Sequence, residues 1–225
     1  MKYATHRQEI LEVCKRLHAA GWLAACDGNV SIRPLLSDGS PADEILITPA
    51  QRPKAFISVE EISILSLDGT PIEGKPSSEA KMHLEVYRAA PLARAVVHAH
   101  PPTSIAWSIA RPNLSELPSR SCSELILALG RVPFVPYARP GTLEMGKNLT
   151  KFLPKSRALI LRNHGTLTWG ESLEEAYFGT ERLEHSARLL KYATEIAGGE
   201  PLPELPLAEI EELEKLRALL GDKIL

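Results

Sequence analysis

The sequence predicts an α/β protein in which helices cover a sheet, and three observations lead to that expectation. Short apolar runs bounded by turn residues, such as Glu44-Ile45-Leu46-Ile47 and Ala158-Leu159-Ile160-Leu161, read as buried strands. Longer stretches with apolar residues three and four apart, such as Leu173 to Ile196, read as helices. The two kinds of segment are interleaved along the chain, which is the pattern of a sheet with helices packed on it.

Taken in order, His6 to Ala20 carries Ile10, Leu11, Val13, Cys14 and Leu17 at helical spacing, and Gly21 terminates it. Asn29 to Pro34 reads as a strand, Leu35 to Asp43 as a Pro/Gly/Ser/Asp-rich connection, and Glu44 to Pro49 as the next strand. Ile62 to Leu67 and Thr70 to Glu73 flank Asp68-Gly69, a hairpin turn signal. Ser77 to Ala90 is a helix for which Ser78 is the expected cap. Ala93 to His98 is a strand stopped by Pro101-Pro102, followed by a short helix from Thr103 to Ala110. Arg111 to Ser121 reads as irregular, and Glu124 to Leu129 as a short helix ended by Gly130. Ala158 to Leu161 and Thr166 to Trp169 are strands around a His164-Gly165 turn. After the long helix, Gly198 to Pro206 is a break, and Ala208 to Leu220 is a helix free to pack on its own chain or on a neighbour.

With 225 residues the chain is expected to form one domain, 1–225, with a helical tail at about 203–225. Its 26 basic and 28 acidic residues give a net charge of -2, so nothing in the charge balance calls for nucleic acid or an anionic membrane as partner. No apolar run approaches the ~20 residues needed to span a bilayer, and the first residues lack the apolar core of a signal peptide. The three cysteines, Cys14, Cys26 and Cys122, form no CxxC pair; they are expected to be core or near-core thiols in a cytoplasmic protein. Trp22, Trp107 and Trp169 are dispersed, as packing residues are.

The chemistry concentrates in two short segments. Residues two apart on a strand face the same way, so His98 and His100, at the end of Val96-Val97-His98-Ala99-His100-Pro101, project together. His164 follows its own apolar run in Leu161-Arg162-Asn163-His164-Gly165. Three imidazoles with an open fourth position form a catalytic zinc arrangement. Hydrogen-bonded structural histidines are the competing reading, and spacing alone does not bring the three together. Ser77-Ser78-Glu79 reads equally as a helix cap with an acidic first turn or as an anion site. Asp27-Gly28-Asn29 is a tight turn whose N–H groups can cradle an anion. Neither GxGxxG nor GxxxxGK[ST] occurs, which argues against dinucleotides and ATP.

Gly28-Asn29-Val30-Ser31, Ile47-Thr48-Pro49, Ser77-Ser78-Glu79, His98-Ala99-His100 and Asn163-His164-Gly165, in this order, resemble the class II aldolase/adducin family, most of all its bacterial L-fuculose-1-phosphate aldolases. The likeness runs from about Ile10 to Ala193. It implies a three-layer α/β/α sandwich around a central mixed, mostly antiparallel sheet, and a homotetramer with active sites near subunit contacts. It also implies one Zn²⁺ per subunit on His98, His100 and His164, with Glu79 beside them as the catalytic proton shuttle. Gly28, Asn29, Ser77 and Ser78 fall where such enzymes hold the substrate phosphate, and Lys54 matches a lysine common in relatives. The implied activity is reversible aldol cleavage of a ketose 1-phosphate, such as L-fuculose 1-phosphate, to dihydroxyacetone phosphate and an aldehyde. In that chemistry the metal stabilises the enediolate formed when the C3–C4 bond breaks.

Three positions depart from the family pattern. Ala50-Gln51 stands where many relatives have Thr/Ser-Gly, no tyrosine lies in Ser121-Cys122-Ser123, and none lies in Pro203 to Leu225. Tyr137, in Pro136-Tyr137-Ala138-Arg139-Pro140-Gly141-Thr142, is either a structural loop residue or part of the site wall. A methylthioribulose-1-phosphate dehydratase, a 3-oxo-sugar-acid phosphate decarboxylase and a pentulose-phosphate 4-epimerase use the same metal chemistry and remain alternatives. A non-catalytic scaffold like the adducin head domains is the reading from outside enzymology, against which the histidine trio and Glu79 stand.

Overall fold

In the computed structural model, which describes residues 1–153 and 155–225, the alternating segments assemble around one eight-stranded sheet. The strands are β1 (Asn29–Ile32), β2 (Glu44–Ile47), β3 (Ser63–Ser66), β4 (Pro71–Glu73), β5 (Ala95–Ala99), β6 (Phe134–Val135), β7 (Ala158–Leu161) and β8 (Gly165–Gly170). Their spatial order is β4-β3-β2-β1-β5-β8-β7-β6. Every pairing is antiparallel except β6 with β7, so the sheet is mixed and mostly antiparallel. Among the described residues seven α-helices cover it: α1 (Ala4–Ala19), α2 (Ala80–Ala89), α3 (Pro102–Ala110), α4 (Ser123–Ala128), α5 (Leu143–Leu149), α6 (Leu173–Ile196) and α7 (Leu207–Leu219).

Side-chain alternation divides the core into two layers. On one face Ile45, Ile47, Val96, Leu159, Leu161 and Leu167 pack with Met82, Val86 and Tyr87 of α2 and Met145 and Leu149 of α5. On the other, Val30, Ile32, Leu46, Val97 and Ala99 pack with Ile10, Val13 and Leu17 of α1 and Leu173, Ala176 and Tyr177 of α6. A third cluster joins Phe134 and Ile160 to Trp107 of α3, Leu125 of α4 and Leu183 and Leu190 of α6. Helix, sheet, helix is the expected three-layer sandwich.

Most elements lie where the sequence puts them, and the differences have local causes. The strand Phe134–Val135 and helix Leu143–Leu149 were not anticipated: the strand has only two residues, and Gly146 interrupts the helical pattern. That glycine is used for packing, since a Cβ there would come within 2.7 Å of Glu85 Cγ on α2. Helix α2 starts at Ala80, later than expected, and Ser78 does not cap it. Instead the Glu79 N–H donates to Ser77 Oγ at 3.3 Å, so the serine ahead of the helix stabilises the turn that presents Glu79. The three thiols also differ from the uniform core expectation. Cys14 is buried, with its pKa pushed up to about 12 by desolvation, Cys122 is half-buried and Cys26 is exposed. Cys26 lies in the loop before Gly28, where its carbonyl, and not its side chain, is the group held in place. The three tryptophans are all buried.

The tail packs on its own chain, with Ile210 and Arg217 of α7 buried. Arg217 donates to the carbonyls of Leu127, Lys223 and Asp222 at 2.6, 2.9 and 2.7 Å, pinning α7 and the residues after it to the end of α4. Arg217→Ala orphans three carbonyls, so it should lower the unfolding free energy by about 2 kcal/mol, measured by urea denaturation, whereas a conservative surface change at exposed Leu219 should leave it nearly unchanged.

Candidate metal centre and cleft

The central strand β5 is paired on both sides, and this gathers the site. On one side His98 lies opposite Asn29 of β1, and on the other it lies opposite Leu167 of β8. The β7–β8 hairpin turns just beyond, with Leu161 paired to Gly165 and Asn163 in the left-handed region at φ 58°, which asparagine tolerates well. Asn163 N–H donates to Ser108 Oγ and His164 N–H to the Leu161 carbonyl, which aims the His164 ring back over β5. His98, His100 and His164 then meet, with ring centroids 4.8 to 5.1 Å apart. Their candidate ligand atoms lie within 4.8 Å of one another.

The hydrogen bonding fixes which nitrogens face inward. His98 Nδ1 donates to the Thr166 carbonyl at 2.8 Å, so its lone pair is on Nε2. His100 Nδ1 lies 3.3 Å from Asp27 Oδ2, which directs Nε2 of that ring to the same point. The two Nε2 atoms are 3.1 Å apart. Two imidazole lone pairs at that separation repel unless a proton or a cation lies between them. Glu79 completes the group, with Oε2 3.4 Å from His98 Nε2 and Oε1 3.3 Å from His164 Nε2. Glu79 Oε1 and His164 Nδ1 are buried without a hydrogen-bond partner. Nitrogen donors, outer carbonyl and carboxylate partners, and orphaned polar atoms in one place fit a divalent cation of the zinc type. Burial, followed by the neighbouring imidazoles, holds His98 well below its ordinary pKa, and burial also lowers His164. Both are therefore neutral, ligand-competent rings at pH 7.

A cleft of about 620 Å³ opens beside the histidines, and Gly28, Asn29, Lys54, Ser77, Ser78, Glu79, His100 and His164 line it. The sequence-based site residues thus converge, but not all in the same manner. Asn29 is buried and uses its amide internally, donating to Glu79 Oε2 at 2.7 Å and Ser77 Oγ at 3.2 Å. Lys54 is also buried, and its ammonium donates to the Cys26 and Arg52 carbonyls at 2.7 Å each, tying two cleft loops together. Desolvation lowers its pKa. Gly28, at φ 68°, has no room for a side chain: a Cβ would stand 2.7 Å from the His98 carbonyl oxygen.

Several cleft residues escaped the sequence reading. The sequence shows Asp27 only as part of a turn, whereas its carboxylate lies beside His100 Nδ1. Gln51 and Lys75 line the opening, as does Pro140 from the loop that carries exposed Tyr137. Gln51 occupies the left-handed region at φ 55°, so the loop keeps a backbone shape that favours glycine although the residue is not one. The Ala50 N–H donates to the Lys75 carbonyl. Behind Glu79 lies buried His83, whose pKa is depressed to about 3, chiefly by desolvation. It is four residues beyond Glu79 on the same helix, the spacing that would have marked it.

Two outcomes follow from this geometry. At Gly165 a Cβ would lie 2.7 Å from His100 Cδ2 and 2.8 Å from His98 Cε1, so Gly165→Ala should displace both rings and reduce bound divalent metal at least tenfold, read by elemental analysis after dialysis. His83 is neutral in the folded protein down to about pH 3, whereas the unfolded chain protonates it below about 6.5. The unfolded state then binds more protons between these values, so stability is full above pH 6.5 and falls on acidification. Going from pH 7 to pH 5 should cost about 2 kcal/mol from this group, and His83→Phe should flatten the pH slope of stability by that amount.

Residues 8–190 match the model of the Class II Aldolase and Adducin N-terminal domain family. The 3-oxo-tetronate 4-phosphate decarboxylase of Escherichia coli (strain K12) is 33% identical over 213 residues, covering 92% of this chain and 94% of the relative. An L-fuculose phosphate aldolase of Methanococcus maripaludis is 35% identical over 181 residues, covering 80% and 93%. Among solved structures, YgbL from Escherichia coli superposes with a TM-score of 0.82 at 32% identity over 93% of this chain and 98% of that one. An L-fuculose 1-phosphate aldolase gives 0.83 at 27% identity over 96% and 97%. The fold, the five ordered motifs and the converging histidines agree with these likenesses, and the chain belongs to the class II aldolase and adducin N-terminal domain family.

Proposed function

We propose that this chain is a zinc-dependent lyase that breaks the carbon–carbon bond one carbon removed from the carbonyl of a small phosphorylated sugar. The observation that carries the reading is the Glu79 carboxylate, with one oxygen held by Asn29 and the other unpaired, set against three histidines that share one focus. His98, His100 and His164 would hold Zn²⁺, which when bound supplies a Lewis acid for the negative charge that develops as the bond breaks. Glu79, through Oε1, moves the proton to or from the carbon that keeps the electron pair. Gly28, Ser77 and Ser78 face the phosphate end of the cleft, with Lys54 contributing positive charge from behind its loop. Asn29, turned towards Glu79, positions the carboxylate more than it grips phosphate. A homotetramer and a cytoplasmic setting accompany this reading.

Aldol cleavage of a ketose 1-phosphate such as L-fuculose 1-phosphate is the first form of the proposal. Decarboxylation of a 3-oxo-sugar-acid phosphate is the second, and a specific observation favours it. Releasing an aldehyde calls for a group that takes the proton from the hydroxyl that becomes its carbonyl oxygen, and neither Ser121-Cys122-Ser123 nor Pro203 to Leu225 contains a tyrosine for that task. Carbon dioxide leaves from a carboxylate that is already ionised, so no such proton has to be removed. The two reactions converge: each can leave the same electron pair on the three-carbon phosphate fragment, and protonation yields dihydroxyacetone phosphate from either.

The experiment is metal analysis of native protein, His98→Ala and Glu79→Gln, each assayed with L-fuculose 1-phosphate and with 3-oxo-tetronate 4-phosphate. The expected result is about one zinc per chain in the native protein and in Glu79→Gln, metal lost from His98→Ala, and turnover reduced at least 100-fold in both variants. Aldehyde release identifies the aldolase form, and carbon dioxide release the decarboxylase. Failure to bind zinc, or full turnover by His98→Ala, would sink the reading.

A further inference from the structure

Behind Glu79 a line of buried polar groups runs across the interface between β1 and α2. Tyr87 Oη is 2.7 Å from Ser31 Oγ, Ser31 Oγ is 2.7 Å from His83 Nδ1, and His83 Nε2 bonds Asn29 Oδ1. Asn29 Nδ2 then meets Glu79 Oε2 at 2.7 Å. Tyr87, Ser31, His83 and Asn29 are all at most 3% exposed. We infer that this is a one-way hydrogen-bond chain which fixes the amide of Asn29 and thereby the catalytic orientation of Glu79, making His83 a positioning residue for the lyase reaction. The inference rests on the role proposed above for Glu79.

The direction follows from the end at the cleft. A carboxylate only accepts, so Asn29 must turn its NH₂ to Glu79 and its carbonyl oxygen to His83. His83 must then donate from Nε2, which leaves a lone pair on Nδ1. Ser31 therefore donates to Nδ1 and accepts from the Tyr87 hydroxyl. Each proton points toward Glu79, and every link is the sole arrangement in which no acceptor faces another. Reversing the Asn29 amide would set its carbonyl against the carboxylate and its NH₂ against an Nε2–H. In a dry interior such a mismatch leaves groups unsatisfied at about 1–3 kcal/mol each.

The chain also explains the asymmetry of the carboxylate. Oε2 is anchored by Asn29, while Oε1 has no hydrogen-bond partner and faces the histidine cluster. One oxygen sets the angle and the other is left to exchange a proton. Packing alone does not need this arrangement, because apolar side chains at positions 31, 83 and 87 would fill the same layer between β1 and α2.

Two measurements test the inference. In long-range ¹H–¹⁵N spectra of the zinc-loaded protein labelled at histidine, His83 should carry its proton on Nε2; a proton on Nδ1 reverses the chain and overturns it. On whichever of the two phosphorylated substrates is cleaved, His83→Phe should lower kcat about 10- to 100-fold, with KM and zinc content within about threefold of native. His83→Gln, whose amide N–H can replace Nε2–H toward Asn29, should recover kcat to within about fivefold. Equal loss in both folded variants, or a loss confined to KM or to zinc content, overturns the positioning role. If His83→Phe does not fold, native-like KM with kcat retained in His83→Gln supports the assignment and a kcat loss there overturns it. Full turnover by Glu79→Gln would instead remove the reading of the reaction, and with it the catalytic consequence, while the tautomer independently reports the chain's direction.

Discussion

Strand β5 pairs with β1 on one side and β8 on the other, and that double pairing is the constraint from which the site is built. Register does the assembly: Asn29 stands opposite His98 on one flank, and the β7–β8 turn delivers His164 on the other. Alternation along β5 sends Val97 and Ala99 into the α1–α6 layer and His98 to the α2 side. A one-residue slip would move the histidines to the wrong face and bury them among aliphatic side chains. The hydrophobic layers thus specify the position of the polar groups, since only one register satisfies both faces.

The α2 face is the part of the core where apolar packing and polar chemistry meet. Met82 and Val86 pack in the aliphatic layer, while His83 and Tyr87, one residue further round the helix, reach Asn29 and Ser31 of β1. Glu79, at the start of the same helix, is the outermost member of this group. The helix therefore serves both as a wall of the core and as the mount for a carboxylate. Its late start at Ala80 leaves Glu79 at the N-cap, in a turn stabilised by Ser77.

Much of this was legible because it rested on strong periodicities. The HxH pair shares a face by the period of a strand, and the long helix Leu173–Ile196 appeared with its bounds because its caps and spacing agree. The ordered motifs named the histidines, Glu79 and the serines as one set. What escaped has a physical pattern too. Phe134–Val135 is too short to show a period, and Leu143–Leu149 contains a glycine that local propensity reads as a break. Lys54 and Asn29 were legible as cleft residues but not in what their donors hold, because that depends on two loops and a helix end far away in sequence. His83 and Ser31 were recoverable in hindsight, being one helical turn after Glu79 and two strand positions after Asn29. Their spacing marks where they point, whereas their burial depends on the packing of α2 against β1.

The missing side chains at Gly28 and Gly165 bear on how such a site can diversify. Both backbones press on the histidine strand so closely that even a methyl group has no place. The half of the cleft that handles charge is in this sense frozen, and a mutation there loses the centre before it can alter preference. The opposite rim is built of exposed or half-exposed residues, among them Gln51, Lys75 and the loop bearing Tyr137, which can change size and charge without moving a histidine. Selection for a new ligand would therefore be expected to write its record on that rim.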